Sequence, residues 1–334
     1  MLRYSHTRTI GVLLALLAAI LCTSSAAVAQ EPLPALVANA RNSVVLITTY
    51  DGADNATGQG TGFFITSDGH LITCWHVLAG AARAEVKLAN GKSYPISRIL
   101  AEDRIGDLVR VAVNLAKDRV TPLSLATKLP QVGERMVLIG CPLGLEQSVT
   151  EGIVSAIRWI PGEQVIQTTA PISPGSSGSP ALNRKGELVG VATFTVREGQ
   201  NLNFLTPAAR VAALKPGVGK ALQECVEESS DPEAKLAYEL VLEALALFGI
   251  GEPDQAIAKC KEAIRLKPDF ALAHMGLGWS CLGLDRYAEA VEAFKEAIRL
   301  EPDNASAHED LGWAYFGLDR YAEAVEAYKE AIRL

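Results

Sequence analysis

The chain has 334 residues, 49% of them hydrophobic and 21% charged, enough apolar content to bury more than one core and too much for a disordered chain. Its formal net charge is -7, and about -9 once Arg3 and Arg8 of the leading segment are set aside, a sign that repels a phosphate backbone. Nucleic acid is therefore excluded as an expected partner.

The first residues read as a signal peptide over 1–29. Arg3 and Arg8 precede an apolar run from Ile10 to Leu21, and Ala27-Val28-Ala29 supplies the small residues of a cleavage site after Ala29. The run is too short for a membrane span, so the mature chain is expected to lack a transmembrane segment and to be periplasmic or secreted. Cys22 raises a lipoprotein reading, which the large Leu21 before it disfavours. Beyond it stand Cys74, Cys141, Cys225, Cys260 and Cys281, an odd set without metal-ligand spacing. No metal is expected, and most are read as small buried hydrophobes, with Cys260 and Cys281 the best candidates for a single bridge.

From Ser43 to about Phe204 short β-branched and apolar runs alternate with Gly, Pro, Asn and Asp, as in Val44–Thr49, Gly62–Thr66, Arg135–Gly140 and Leu188–Thr193. Many short strands with frequent turn signals predict a sandwich or barrel. Pro207 to Leu214 reads as a helix closing this unit, expected to span 31–215. A polar, acidic stretch over 216–232 reads as a linker.

The remainder repeats itself with a 34-residue period: 233–266 is a degenerate copy, and 267–300 and 301–334 share Leu-Gly-Trp and Gly-Leu-Asp-Arg-Tyr-Ala-Glu-Ala-Val-Glu-Ala. Paired amphipathic helices at this period resemble the tetratricopeptide repeat, so an α-helical solenoid is expected. In that register Leu272, Met275, Trp279 and Leu282, with Trp313 and Phe316 of the next repeat, line an apolar, aromatic concave groove for a protein partner. A plainer reading has Trp279 and Trp313 packing between helices. Leu334 ends a helix with no polar cap, which predicts that further repeats, a partner or a second copy covers it; oligomerisation is compatible with this.

Hydrolysing a peptide bond with a hydroxyl needs a base, a carboxylate to orient it, and amide donors for the oxyanion. Three stretches supply these parts in the order His, Asp, Ser. The first, Gly60 to Val77, leads into His76; the second, Asp107 to Val113, opens a strand with an acid; the third, Ile172-Ser173-Pro174-Gly175-Ser176-Ser177-Gly178-Ser179-Pro180, is a small-residue turn exposing Ser177. His70 reads as exposed loop and Asp103 as a weaker competitor of Asp107.

Together with Val132-Gly133-Glu134, Ile139-Gly140-Cys141-Pro142-Leu143-Gly144-Leu145 and Val149-Thr150-Glu151-Gly152-Ile153-Val154-Ser155, these stretches resemble the HtrA/Deg-type trypsin-like proteases from about Gly60 to Pro207. The resemblance implies a chymotrypsin-like pair of six-stranded β-barrels with Ser177 as nucleophile, His76 as general base and Asp107 as its orienter in the cleft between them. It also implies an oxyanion hole from the N–H groups of Gly175 and Ser177, and a specificity pocket involving Pro171, Ile172 and Thr193. That pocket would lack the carboxylate needed for Lys or Arg and favour small or medium apolar residues.

Three positions depart from the family pattern: Ser176 for Asn or Asp, Ser179 for Gly, and Thr169 where Asp is common. The expected activity is a serine endopeptidase acting on exported proteins or peptides, without cofactor, with the repeats recruiting protein partners. The alternatives are a catalytically silent trypsin-like fold serving as a peptide-binding scaffold, and an assembly adaptor.

Overall fold

The computed structural model describes residues 32–115, 118–141, 147–161, 163–196, 202–222 and 232–334. The expected signal peptide, Pro142 to Leu145, Cys225 and residues 223–231 of the expected linker lie outside them.

A short helix α1 (Leu33–Arg41) precedes six strands: β1 (Val44–Tyr50), β2 (Ala56–Phe64), β3 (His70–Thr73), β4 (Arg83–Lys87), β5 (Ser93–Asp103) and β6 (Leu108–Val113). They close into a barrel in the order β1-β2-β3-β6-β5-β4. Period-two alternation drives the closure: Leu108, Val109, Val111 and Val113 of β6 are buried while Arg110 and Ala112 between them are half-buried. A single helical turn α2 (Trp75–Leu78) follows β3.

The second barrel runs β7 (Arg135–Gly140), β8 (Ser148–Ile160), β9 (Glu163–Thr168), β10 (Pro180–Leu182), β11 (Leu188–Thr195) and β12 (Asn203–Pro207), closing as β10-β11-β12-β9-β8-β7. Closure removes the exposed edges that an open sheet of this length would carry. The helix α3 (Ala208–Ala213) ends the unit, burying Ala208 and Val211 and turning Arg210 onto Asp103. The expected linker is not free where it begins: Ile99 and Lys220 exchange backbone hydrogen bonds of 2.9 and 2.8 Å, pinning residues 217–220 to β5.

Six helices follow as three antiparallel pairs: α4 (Pro232–Gly249) with α5 (Pro253–Leu266), α6 (Ala271–Leu282) with α7 (Tyr287–Leu300), and α8 (Ala305–Gly317) with α9 (Tyr321–Arg333). Small residues set their spacing. A Cβ built on Gly278 would lie 2.5 Å from the Phe294 ring, and one on Gly312 2.7 Å from the Tyr328 ring; Ala290 and Ala324 are buried on the facing helices.

In each pair the second helix carries the clear apolar stripe and the first helix is apolar more nearly all round. α4 is apolar around most of its circumference, with Ala237, Tyr238, Val241, Ala244 and Leu245 all buried, the signature of a helix covered on more than one side. At 18 residues it is about 27 Å long, and it spans both barrels. Tyr238 packs against Trp75 beside the first barrel, the two rings tilted at 49° with centroids 4.6 Å apart. A Cβ on Gly249 at the other end would lie 3.0 Å from Ile160 of β8. Residues 33–334 accordingly form one compact unit, and a single apolar core runs from Ile47 and Val86 of the first barrel, through Phe194 and Phe204 of the second, into the repeats.

The repeat face also differs in part from an open groove. Trp279 and Met275 are buried, because the Trp279 indole N–H donates to Asp310 Oδ2 at 2.8 Å and because this face looks onto the first barrel. Leu272, Met275 and Trp279 line a cavity of about 580 Å³ shared with Trp75, Glu102 and Arg104. Leu282 is half-buried and packs into the core. Trp313 and Phe316 stay more than half exposed. Cys74, Cys141, Cys260 and Cys281 are all buried free thiols, so no bridge joins Cys260 to Cys281.

The close approach at Gly278 carries a test. Alanine is the better helix former by about 1 kcal/mol, yet a methyl group here must displace a fully buried ring. Gly278→Ala is expected to destabilise the protein by about 1–2 kcal/mol, read as a lower thermal unfolding midpoint.

Candidate active site

The site is built where β3 gives way to α2 and where β6 begins. Thr73 closes β3 by donating from its hydroxyl to the Thr61 carbonyl at 2.7 Å. The chain then turns, so that Trp75 and His76 present their N–H groups to Asp107. The Trp75 N–H donates to the Asp107 carbonyl at 3.2 Å, and the His76 N–H donates to Asp107 Oδ1 at 3.0 Å. The His76 ring meets the other oxygen, with Nδ1 2.6 Å from Oδ2. The partner being a carboxylate, Nδ1 carries the proton and Nε2 is left as the basic nitrogen.

Asp107 has no exposed surface and a left-handed backbone, φ 50°, a conformation that aspartate tolerates better than most residues and that persists where the surroundings fix it. The fixing is visible. Gly106 donates its N–H to Asp103 Oδ1 at 2.9 Å, its carbonyl accepts from the Thr206 hydroxyl at 2.8 Å, and the Tyr238 hydroxyl donates to the Arg104 carbonyl at 2.6 Å. Asp103, the competing acid in the sequence, is thus a structural group paired with Arg210, and it is Asp107 that touches the histidine.

Ser177 comes from the second barrel on a turn held at both ends. Ser176 N–H donates to Ser173 O at 2.8 Å, Ser179 N–H to Ser176 O at 2.9 Å and Gly178 N–H to Ala192 O at 2.8 Å. Gly175 (φ 88°) and Gly178 (φ 86°) are left-handed, and a Cβ on Gly178 would sit 2.0 Å from the Thr61 carbonyl oxygen, so the position requires glycine. Thr61 ties the barrels together: its N–H donates to Ser177 O at 2.9 Å, its hydroxyl donates to Gly175 O at 2.9 Å and accepts from Cys141 N–H at 2.9 Å. Among the described residues, the N–H groups of Gly175 and Ser177 donate to no protein group, leaving both free for an oxyanion. No hydrogen bond joins Ser177 to His76.

His76 and Ser177 both line a cavity of about 710 Å³, which Ile172, Gly175 and Thr193 also line. Pro171, expected at the pocket base, is exposed and does not line it; its carbonyl instead accepts from the Thr150 hydroxyl at 3.1 Å. His70 is also not exposed loop. It opens β3, half-buried, and its Nδ1 accepts from Arg110 at 2.7 Å. Ser179 is accommodated, buried with its hydroxyl against Gly140 and without a hydrogen-bond partner.

One wall of the cavity comes from the repeats: Lys235, Leu236, Glu239, Leu240 and Glu243 of α4, with Lys259 and Glu262 of α5. Sequence reasoning missed these residues. The available signal was the apolar girth of α4, which called for a second covering surface.

Charges converge on the histidine. Burial alone lowers the His76 pKa, but the charge and hydrogen bond of Asp107 outweigh it and hold the imidazole above its ordinary 6.5. Cys74 lies close to both, within 4.8 Å ligand atom to ligand atom. Its thiol donates to Ala192 O at 3.2 Å, and burial followed by the Asp107 charge pushes its pKa well up. A metal would need the thiolate that this environment disfavours.

The trypsin-like peptidase domain family matches residues 60–191, the stretch holding His76, Asp107 and Ser177. Residues 60–191 therefore match a trypsin-like peptidase domain, and the matches that follow it along the chain are to tetratricopeptide repeats. The repeat family matches residues 241–299 and 282–334. The peptidase domain is similar to HhoB of Synechocystis, named as a serine protease, at 39% identity over 158 residues, 45% of this chain and 38% of that one. It is also similar to a DegP-like periplasmic serine endoprotease of Hahella chejuensis, at 38% identity over 144 residues, 42% and 30% of the two chains. Among solved structures, an HtrA-type AlgW variant with a tripeptide matches at 26% identity and a TM-score of 0.50, covering 55% of this chain and 62% of that one. The match spans well under half the length of these two curated relatives.

Because Asp107 is the main group that raises the His76 pKa against burial, Asp107→Asn is expected to move the imidazole titration to lower pH. Proton NMR of the ring, followed from pH 4 to 9, reads it; an unchanged midpoint would contradict the assigned pairing.

Proposed function

We propose that this chain is a serine endopeptidase that cleaves exported proteins or peptides, with a peptidase domain over 31–215, a connection over 216–232 and three repeats over 233–334. The observation that carries the reading is the 2.6 Å His76–Asp107 contact at the wall of a cleft, which Ser177 also lines, with two unused N–H donors on the Ser177 turn.

In this mechanism the Ser177 hydroxyl attacks the scissile carbonyl carbon as His76 Nε2 takes its proton, and Asp107 stabilises the imidazolium. The N–H groups of Gly175 and Ser177 receive the oxyanion. His76 then returns the proton to the leaving amine, and water activated by the same nitrogen releases the acyl group. The Ser177–His76 hydrogen bond absent from the free site forms when substrate is bound, as in other unliganded sites that tighten on binding. Ile172 and Thr193 offer no carboxylate, which favours a small or medium apolar residue before the cleaved bond.

Export accords with the periplasmic naming of the Hahella relative, and no described helix is long and apolar enough to cross a membrane. The repeats recruit protein through their exposed aromatic end, where Trp313 stacks on Phe316 at 6.1 Å and Phe316 meets Tyr321 edge-on at 5.5 Å.

The test is covalent labelling of the mature protein with a fluorophosphonate, since a serine reacts only when its base and oxyanion donors are assembled. Labelling is expected for the wild type and absent in Ser177→Ala, with turnover of apolar peptide substrates lowered by about 10⁴ in Asp107→Asn. A folded wild-type protein that does not label would instead favour the silent peptide-binding scaffold.

A further inference from the structure

We propose that Tyr238, on the first repeat helix, is a positioning residue for the His76–Asp107 pair, so that the repeat array completes the active site. The inference rests on the peptidase reading and adds to it a residue from outside the peptidase domain.

Tyr238 is 2% exposed. Its hydroxyl lies 2.6 Å from the Arg104 carbonyl oxygen and 3.2 Å from Asp107 Oδ1. A carbonyl and a carboxylate only accept, so the phenol is the donor to both and shares its one proton between them. Burial first, and the Asp107 charge second, push its pKa well above the ordinary 10.0, which keeps that proton in place. Asp107 has no exposed surface, and a buried carboxylate oxygen needs donors. Oδ2 receives the His76 ring and Oδ1 the His76 N–H; the phenol is the remaining side-chain hydroxyl directed at Oδ1.

The ring of Tyr238 acts on the other partner. It packs against Trp75 at 4.6 Å, and Trp75 is the residue before His76, with the Arg104 guanidinium 4.8 Å from its ring on another side. Tyr238 therefore braces the backbone that carries the base and the turn that carries the acid. On the repeat side its ring has Phe270, at the start of the second repeat, as a packing neighbour with the ring centroid 6.2 Å away, while the hydroxyl is held by Arg104 and Asp107.

Removing the phenolic donor leaves more of the carboxylate charge for the imidazolium, which raises the His76 pKa, and loosens the pair's geometry, which slows proton transfer. The charged and titratable groups facing His76 are Asp107, Cys74, Glu239 and Lys235, and Tyr238→Phe leaves all four in place.

The experiment uses the full mature chain and compares wild type, Tyr238→Phe and Phe270→Leu by three readouts: fluorophosphonate labelling rate against pH, NMR titration of the His76 ring, and thermal midpoint. Tyr238→Phe is expected to slow labelling about tenfold near pH 8 and to move the His76 titration upward. Phe270→Leu is expected to lower the thermal midpoint while leaving that titration where it is. Tyr238→Phe with a wild-type His76 titration overturns the proposal, whether or not labelling slows, because slower labelling alone is then loss of packing. If wild type itself fails to label, the peptidase reading falls and the His76 titration still decides the proposal: an upward shift supports the positioning contact and no shift rejects it.

Discussion

A carboxylate with no access to water governs this molecule. Taking Asp107 out of solvent is unfavourable unless each oxygen finds a donor, and three donors come from two distant parts of the chain: the backbone N–H and the ring of His76 in α2, and a phenol about 130 residues later in the sequence. The left-handed backbone at Asp107 adds to the demand, since the turn from Asp103 must be held from outside. Thr206 of the second barrel, Arg210 of α3 and Tyr238 of the repeats each hold one point of it. The joints between the barrels and the helices are in this sense arranged around one short turn.

The helix α4 converts that local need into architecture. Its apolar girth is buried against both barrels and against α5, and the same helix forms a wall of the catalytic cleft. The side chains it presents there are mixed: Leu236 and Leu240 are apolar, while Lys235, Glu239 and the Glu243–Lys259 pair, 3.1 Å apart, are charged. Beside Thr193 and Thr195 the cleft is therefore walled by repeat side chains as well as barrel ones. Phe194, which an isolated barrel would leave open on this strand, is buried in the shared core.

How much of this is legible in the sequence follows from the range of each interaction. The strands and the repeat period are written in local alternation, so β7 over Arg135–Gly140 and the helices of the last two repeats fall where patterning places them. His76, Asp107 and the Ser177 turn are legible because each sits at a strand boundary with its own local chemistry. The exceptions are all long-range. His70 reads as loop because the Arg110 guanidinium that occupies its Nδ1 lies on another strand; Trp279 reads as open groove because Asp310 is one repeat away; Pro171 reads as pocket because only the closed barrel reveals which way the chain leaves β9. Tyr238 is the clearest case: the register gives its phase on the helix, but nothing near it in the sequence names the surface it faces.

The placement of α4 also sets which parts of the array are free to change in number. Among the described residues the two later pairs line no part of the cleft that holds His76 and Ser177, although α6 and α8 face the first barrel across the neighbouring cavity. Repeats could be gained or lost at the far end of the array in 34-residue steps, while the first pair would have to be inherited together with the barrels as part of the cleft's wall.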